Sequence, residues 1–409
     1  MSKLLRRLAP REHSRLAKSG YRIAVAERLS QLNPELWDAV TANASIFLSR
    51  QYLATLEKFL PANVEPRYAL ITDEGRPIAA VSCQLVTIDA EHLGKRRTAS
   101  RALARVIGSA KDRLKGMLRE RVLVCGNLLS FGQHAVAFSE AGLRDRDRSW
   151  AAVAETLYRI RRAERLSGGS DMSLIKDVPT GSAAVPNPRG IGFRRVETEP
   201  EMVLAIDERW QTYDDYLAAL DGKYRKSARQ IVKEVAERGL VLERMDDLQS
   251  IAEDMHSLYL AVQDNNELRL VTSPTGYLPA LVEVFGTDAR CAVLRREGKL
   301  LGFVVTLKDR ETAVGYHIGF DRNAAKEAPV YLRLLHAVVE DAISLGCRRL
   351  SLGRTALEPK ARLGATPEPM EVWVKHRTRG LNFLIGRLLA AQDHAEAPER
   401  NPFKKAAAK

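Results

Sequence analysis

The sequence predicts an α+β protein built from two tandem units, each a mixed, mostly antiparallel sheet flanked by helices. Three observations carry this expectation. Residues 68–86 read as two apolar strands around a Glu74-Gly75 turn, a hairpin signature. The same outline returns at 291–308, where Ala292, Glu297 and Gly298 match Ala69, Glu74 and Gly75 at one offset of 223. Each hairpin is followed by a long amphipathic helix, a glycine and a short strand: 149–166, Gly168-Gly169 and 172–176 in the first half, 329–345, Gly346 and 349–352 in the second.

The order of elements follows from local chemistry. Gly75 and Gly168 are 93 positions apart but Gly298 and Gly346 only 48, so the first copy carries an insertion, placed at about 90–121. Between the copies, 179–190 holds three prolines and two glycines, which cannot continue a helix or a central strand, and a linker is expected there. The predicted organisation is therefore a basic tail over 1–21, a first unit over 22–178, the linker, a second unit over 191–394 and a disordered tail over 395–409. Within the second unit the pattern predicts a strand at 193–198, helices near 200–220 and 222–238, a strand at 240–245 and a helix at 247–263. Next come a helix near 276–285, strands at 290–296, 300–307 and 312–320, a helix at 329–345, strands at 347–352 and 371–377, and a closing helix.

Composition narrows the function classes. At 409 residues, 45% hydrophobic and 28% charged, the chain is suited to two or three folded domains rather than to a disordered or fibrous protein. Its four cysteines stand singly in apolar runs and no CxxC pair accompanies the eight histidines, so neither a metal site nor a disulfide scaffold is expected. No apolar run reaches the ~18 residues of a membrane span, and the charged N-terminus lacks a signal-peptide core, which leads to the expectation of a cytoplasmic protein. The net charge of +13 is concentrated in two segments. Residues 1–22 carry seven basic residues against one acidic, residues 92–121 ten against two, and the rest of the chain sums to −1.

Three stretches carry a likeness to a known family. They are Leu36-Trp37-Asp38 followed by 44–53 (ASIFLSRQYL) with Leu56-Glu57, the basic run 220–229 (LDGKYRKSAR), and 352–364 (LGRTALEPKARLG), a strand ending in Gly-Arg and leading to a lysine shortly before a glycine. With the doubled order of elements, they resemble the GNAT acyltransferase fold in the tandem form of Fem-type aminoacyl transferases and the related FemAB-like or BioF2-like N-acyltransferases. The resemblance implies transfer of an acyl group, by default from acyl-CoA, to an amine, with the chemistry in the second unit. An aminoacyl-tRNA donor with a cell-wall precursor as acceptor is the alternative. A third reading is a non-catalytic fold that binds a lipid or polyanion. The chain departs from the wider pattern at 321–329, where the acyl-CoA loop would fall, because that stretch contains no glycine.

Candidate site residues come from the second unit. His317, near the end of the strand 312–320, has a side chain suited to accepting a proton near neutrality, although a strand-centre histidine is often a core residue. Lys360 follows the strand 347–352 by a short loop, where few packing partners are expected. The resemblance assigns the lysine at this place to the developing oxyanion. Arg354 lies just past a strand end, where α/β sheets bind ligands, and could hold a phosphate or carboxylate; its bland alternative is pairing with Glu358. Lys223, Tyr224, Arg225, Lys226 and Arg229 open a helix, and cations there oppose the macrodipole unless an anion arrives. Tyr224, Lys226 and Arg229 are the expected phosphate contacts, against the alternative of a solvated face with Glu234 and Glu237 as partners. The insertion has apolar residues at helical spacing among its basic ones, as in a helix packed on the first unit with a solvated basic face; its charge would also suit the anionic inner face of a membrane or the phosphates of a tRNA.

Overall fold

A computed structural model describes residues 18–88, 120–165, 169–180, 190–263, 270–378, 380–383, 398 and 400–404. In chain order the strands are β1 (Arg22–Ala26), β2 (Val64–Asp73), β3 (Arg76–Ile88), β4 (Glu120–Cys125), β5 (Val136–Phe138), β6 (Met172–Pro179) and β7 (Arg194–Ala205). They continue with β8 (Val241–Arg244), β9 (Ala289–Arg296), β10 (Lys299–Asp309), β11 (Thr312–Phe320), β12 (Arg349–Ser351) and β13 (Thr366–His376). The chain divides into two compact units. Unit 1 is Met1–Thr198, Glu267–Thr272 and Met370–His394; unit 2 is Glu199–Asn266, Ser273–Pro369 and Ala395–Lys409.

The division corrects the boundaries read from the sequence. It falls at Thr198, past the proline-rich stretch, and Met370–His394 belongs to unit 1 rather than to the second unit. The reason is strand pairing: Met370–His376 of β13 runs antiparallel to β6, and this long-range contact cannot be seen in local composition. The expected linker lies mostly outside the described residues, as do the basic insertion and most of the N-terminal tail. A second correction concerns 200–205, predicted as helix but extended in β7. Proline at the start of a helix is no obstacle; what decides is pairing, since Val203, Leu204 and Ala205 pair with β12 and Met202 and Leu204 enter the unit 2 core.

Unit 1 orders its strands β1-β2-β3-β4-β6-β13, with β4 and β6 parallel and every other neighbouring pair antiparallel; β5 adds to β3. Helix Arg146–Ala163, capped by Asp145, buries Trp150 and Val153, and Trp150 packs 5.4 Å from Trp373. Unit 2 repeats the plan as β8-β9-β10-β11-β12-β7, again with one parallel pair, β11 with β12. Both hairpins turn on matching residues. Glu74 and Gly75 have φ of 47° and 85°, Glu297 and Gly298 of 52° and 80°, and a turn with both central residues at positive φ fits the twist of paired strands.

The unit 2 core lies between its sheet and helix Val330–Ser344, which is buried on nearly every side: Leu334, Ala337, Val338 and Val339 meet Met202, Leu204, Ala292 and Leu294. Asp341 of this helix is buried as well, accepting from Arg244 Nε at 2.7 Å and Thr306 Oγ1 at 3.1 Å. Residues 400–404, within the stretch expected as a disordered tail, pack in this unit; most of the rest of that stretch lies outside the described residues. Phe403 packs on the core, and Pro402 O accepts from Asp221 N at 2.8 Å.

Candidate active site

Register places the polar residues of unit 2 on one face of its sheet. Ser351 on β12 pairs with Val203 on β7 and with Val314 on β11, so these three side chains share a face. Glu201, two residues from Val203, lies on that face too, and Ser351 Oγ donates to its carboxylate. A β-bulge then re-aims β11. Gly315 pairs with Thr306, whose hydroxyl points to Asp341 on helix Val330–Ser344, whereas His317 pairs with Val305; Tyr316 is the extra residue. His317 therefore faces away from that helix, on the side of Ser351 and Glu201, roughly 10 Å along β11 at ~3.3 Å per residue.

His317 is enclosed by aromatic rings: Tyr316 at 4.3 Å, Tyr259 at 5.3 Å and Tyr277 at 6.5 Å between centroids. The hydroxyls of Tyr277 and Tyr316 are hydrogen-bonded at 2.6 Å. His317 Nδ1 is buried without a partner among the described residues, and burial pulls the imidazole down to about 4, so the ring is neutral near physiological pH. The same burial makes it a weak base, which counts against the general-base role expected from its type alone.

β12 stops at Ser351, while β11 runs on to Phe320. The chain leaves β12 through Gly353 at φ 74° and Ala356 at φ 54°, a left-handed conformation that non-glycine residues rarely hold. It then enters the short helix Leu357–Arg362. Leu357 and Ala361 of that helix join the core, and Lys360 is 4% exposed. This corrects the expectation of a sparsely packed loop lysine. Its ammonium has no hydrogen-bond partner among the described residues. Burial pulls Lys360 down to about 8, a shift opposed by the nearby charges of Glu199 and Glu201.

The structure thus gathers Lys360, Glu199, Glu201 and Ser351, sets His317 farther along the same face, and leaves the other candidates elsewhere. Arg354 is half-buried in the loop after β12; the expected partner Glu358 is instead engaged by Arg362 at 3.2 Å and Arg400 at 3.0 Å. Lys226 and Arg229 lie on helix Gly222–Glu237 with Arg225 and Lys233, together lining a groove of about 250 Å³, while Tyr224 packs on the core. The expected acidic partners are spent on others, Glu237 on Lys233 at 3.6 Å and Glu234 on Gln230 at 2.8 Å. Lys226 and Arg229 have no ion pair among the described residues.

Sequence reasoning missed Glu199, Glu201 and Ser351, whose only signal is the pairing of β7 with β12. It did anticipate the weakness at 321–329. Asp321 Oδ1 accepts from Asn323 N and Ala324 N, both at 2.8 Å, so the amides that could cradle a pyrophosphate there are already bonded to a carboxylate. The residues of this loop do not fit the phosphates of acyl-CoA.

Residues 222–361 match the model of an acetyltransferase (GNAT) domain. The second unit carries a GNAT domain. The match falls within unit 2 apart from 267–272. Among solved structures, the crystal structure of FemX aligns over 89% of this chain and 100% of its own at 11% identity, with a TM-score of 0.54, a likeness of fold across both units. A tandem GNAT protein from the clavulanic acid biosynthesis pathway aligns over 87% of this chain and 98% of its own at 13% identity and a TM-score of 0.48. No curated protein matches the sequence. The chain thus combines a GNAT domain in its second unit with a fold like that of FemX. Among the described residues, no helix is long and apolar enough to cross a membrane.

Proposed function

We propose that unit 2 transfers an acyl group from an activated donor to an amine, on a small molecule, a peptide or a cell-wall precursor, with Lys360 stabilising the reaction's oxyanion. The observation that carries this reading is a buried lysine whose ammonium has no hydrogen-bond partner among the described residues, set past the end of a strand in a parallel pair. In the reaction a neutral amine attacks the acyl carbonyl, whose oxygen becomes an oxyanion and accepts a hydrogen bond from the Lys360 ammonium. The proton leaving the amine goes to a carboxylate, for which Glu201 is assigned. Collapse then breaks the bond to the donor's leaving group, which takes up that proton from Glu201 and returns the carboxylate to its starting state. His317, neutral and uncommitted at Nδ1, holds the acceptor amine by a hydrogen bond rather than removing its proton. Arg354, Lys226 and Arg229 contact phosphates, and Tyr224 supports the helix that carries the latter two.

The closed loop at Asp321, together with Lys226 and Arg229, which have no ion pair among the described residues, favours the alternative donor, an aminoacyl-tRNA, over acyl-CoA. From Gly222 to Lys233 the groove follows about 16 Å of helix, enough for more than one phosphate of a nucleic-acid strand. The basic segment 92–121 would add to the same attraction. Unit 1 is assigned a structural role.

Lys360→Met tests the reading. Turnover should fall by on the order of 100-fold or more with donor binding unchanged, because the lost contact exists only in the transition state. Near-normal turnover would refute it and leave the non-catalytic polyanion-binding reading. A thermal-shift comparison of acetyl-CoA with bulk tRNA ranks the donors.

A further inference from the structure

Residues 400–404 of unit 2 cross both ends of the helix that carries Lys360. At its start, Arg400 Nη2 donates to Glu358 at 3.0 Å. Past its end, the ring of Phe403 lies against Gly364, so close that a Cβ on Gly364 would sit 2.3 Å from it. Gly364 also has φ 97°, so two constraints exclude a side chain there. The strap is fixed on its other side by backbone bonds: Asp221 N donates to Pro402 O at 2.8 Å, Lys404 N to Ala219 O at 3.1 Å, and Phe403 bridges Leu220. Phe403 further meets Trp210 and Tyr216 at 5.5 and 6.2 Å, and Tyr216 Oη donates to Leu363 O at 3.0 Å.

These contacts are more than a surface chain end requires. Helix Leu357–Arg362 is a turn and a half long, too short to hold its position by its own hydrogen bonds. What sets the depth of Lys360 is therefore what packs on the two flanks of the helix. On one flank Leu357 and Ala361 enter the core. The strap supplies the contact next to Gly364, and the exposed Arg400–Glu358 pair contributes little by comparison.

We propose that the segment Arg400–Lys404 is a positioning strap for Lys360, with the Phe403 ring, seated on Gly364, holding the Lys360 ammonium in its buried place. The proposal rests on the role given to Lys360 above, but its test is read without turnover. Full-length protein is treated with trinitrobenzenesulfonate across a pH series, and labelling at Lys360 is followed by peptide mass spectrometry. In Phe403→Ala, water reaching the ammonium should raise the midpoint of the labelling curve by about one pH unit or more toward that of an ordinary lysine. Phe403→Leu, which keeps much of the apolar volume, should move it the same way by less, and serves if the alanine variant does not fold. A midpoint unchanged in a folded variant overturns the strap. If the midpoint moves while Lys360→Met retains turnover, the strap stands and the catalytic reading fails.

Discussion

The two units use one strand order, yet they finish the parallel pair at its centre in opposite ways. In unit 1, β4 ends at Cys125, β6 runs on, and the segment 126–134 bonds to the strand ends through several of its polar groups, although His134 Nδ1 is buried with no hydrogen bond among the described residues. Lys176 Nζ donates to Ser130 O at 2.7 Å and pairs with Asp177, Gly132 N donates to Asp177 Oδ2 at 3.0 Å, and Gln84 Nε2 to Asn127 Oδ1 at 3.0 Å. In unit 2 it is β12 that stops, and the lysine that follows has charge neighbours but no hydrogen bond. A buried polar group is inexpensive when paired and costly when not. The same scaffold therefore hydrogen-bonds its buried lysine in one copy and leaves it, among the described residues, to the nearby charges of Glu199 and Glu201 in the other.

The largest predicted effect separates these two lysines. Lys176→Met removes one partner of a buried pair and leaves the Asp177 carboxylate uncompensated, which should lower the stability of unit 1 by about 3–5 kcal/mol. Lys360→Met should instead leave stability unchanged or raise it by about 1–3 kcal/mol, because a buried, unbonded ammonium is removed. Denaturant unfolding of both variants gives the two signs directly. A loss for Lys360→Met as large as that for Lys176→Met would mean that the two sites are satisfied alike.

How much of this was legible in the sequence depends on whether the cause was local. The hairpins, the glycine turns at Gly75 and Gly298 and helix Val330–Ser344 are written in nearest-neighbour chemistry, and they formed as expected. Lys360 was singled out from its setting in 352–364, which resembles the family pattern, but its burial was not legible there, because it follows from the packing of Leu357 and Ala361 into a core built by distant strands. Cys83 and Cys125 read as scattered, yet β3 and β4 set them side by side, and the hydrogen bond between the thiols together with burial pushes Cys83 well above the ordinary thiol range. Glu201 and Ser351 are 150 residues apart and meet only through β7 and β12. Spacing in sequence reports helix faces and turns; it carries no register between distant strands.

A smaller effect follows from pH. Burial holds His134 in unit 1 and His317 and His336 in unit 2 down at about 4, with Lys176 adding to the effect at His134 and Arg333 at His336. Their unfolded forms titrate near the usual ~6.5, so between pH 6.5 and 4 the unfolded chain binds more protons than the folded one. Stability should fall as pH drops through that window and level off below it. Lys360 has the same sign at the alkaline end: stability should rise as pH goes from about 8 toward the ordinary lysine value, since the folded state releases its proton first. Phenylalanine at 317 should flatten the acid limb in part. An unchanged acid limb would show that the His317 ring is already solvated in the native state.

The smallest effect on stability should come from the cations of helix Gly222–Glu237, and there the contrast with unit 1 is again one of pairing. Arg50, opening helix Arg50–Lys58 of unit 1, donates from Nε to both oxygens of Asp38 at 2.8 and 2.9 Å, whereas Lys226 and Arg229 line their groove with no ion pair among the described residues. Exposed charges change stability by about 0.5 kcal/mol or less, so Lys226→Gln and Arg229→Gln should unfold like the parent protein. Binding of a polyanion should respond differently. Each removed contact should lower the slope of log affinity against log salt by about 0.7 to 0.9, and the double variant by about twice that. Arg50→Gln, removing a cation already neutralised by Asp38, should leave the slope where it was. Fluorescence titration of labelled tRNA at several salt concentrations reads all three variants; equal slopes throughout would show that the groove holds no phosphate, and a change in slope for Arg50→Gln alone would move the anion surface to unit 1.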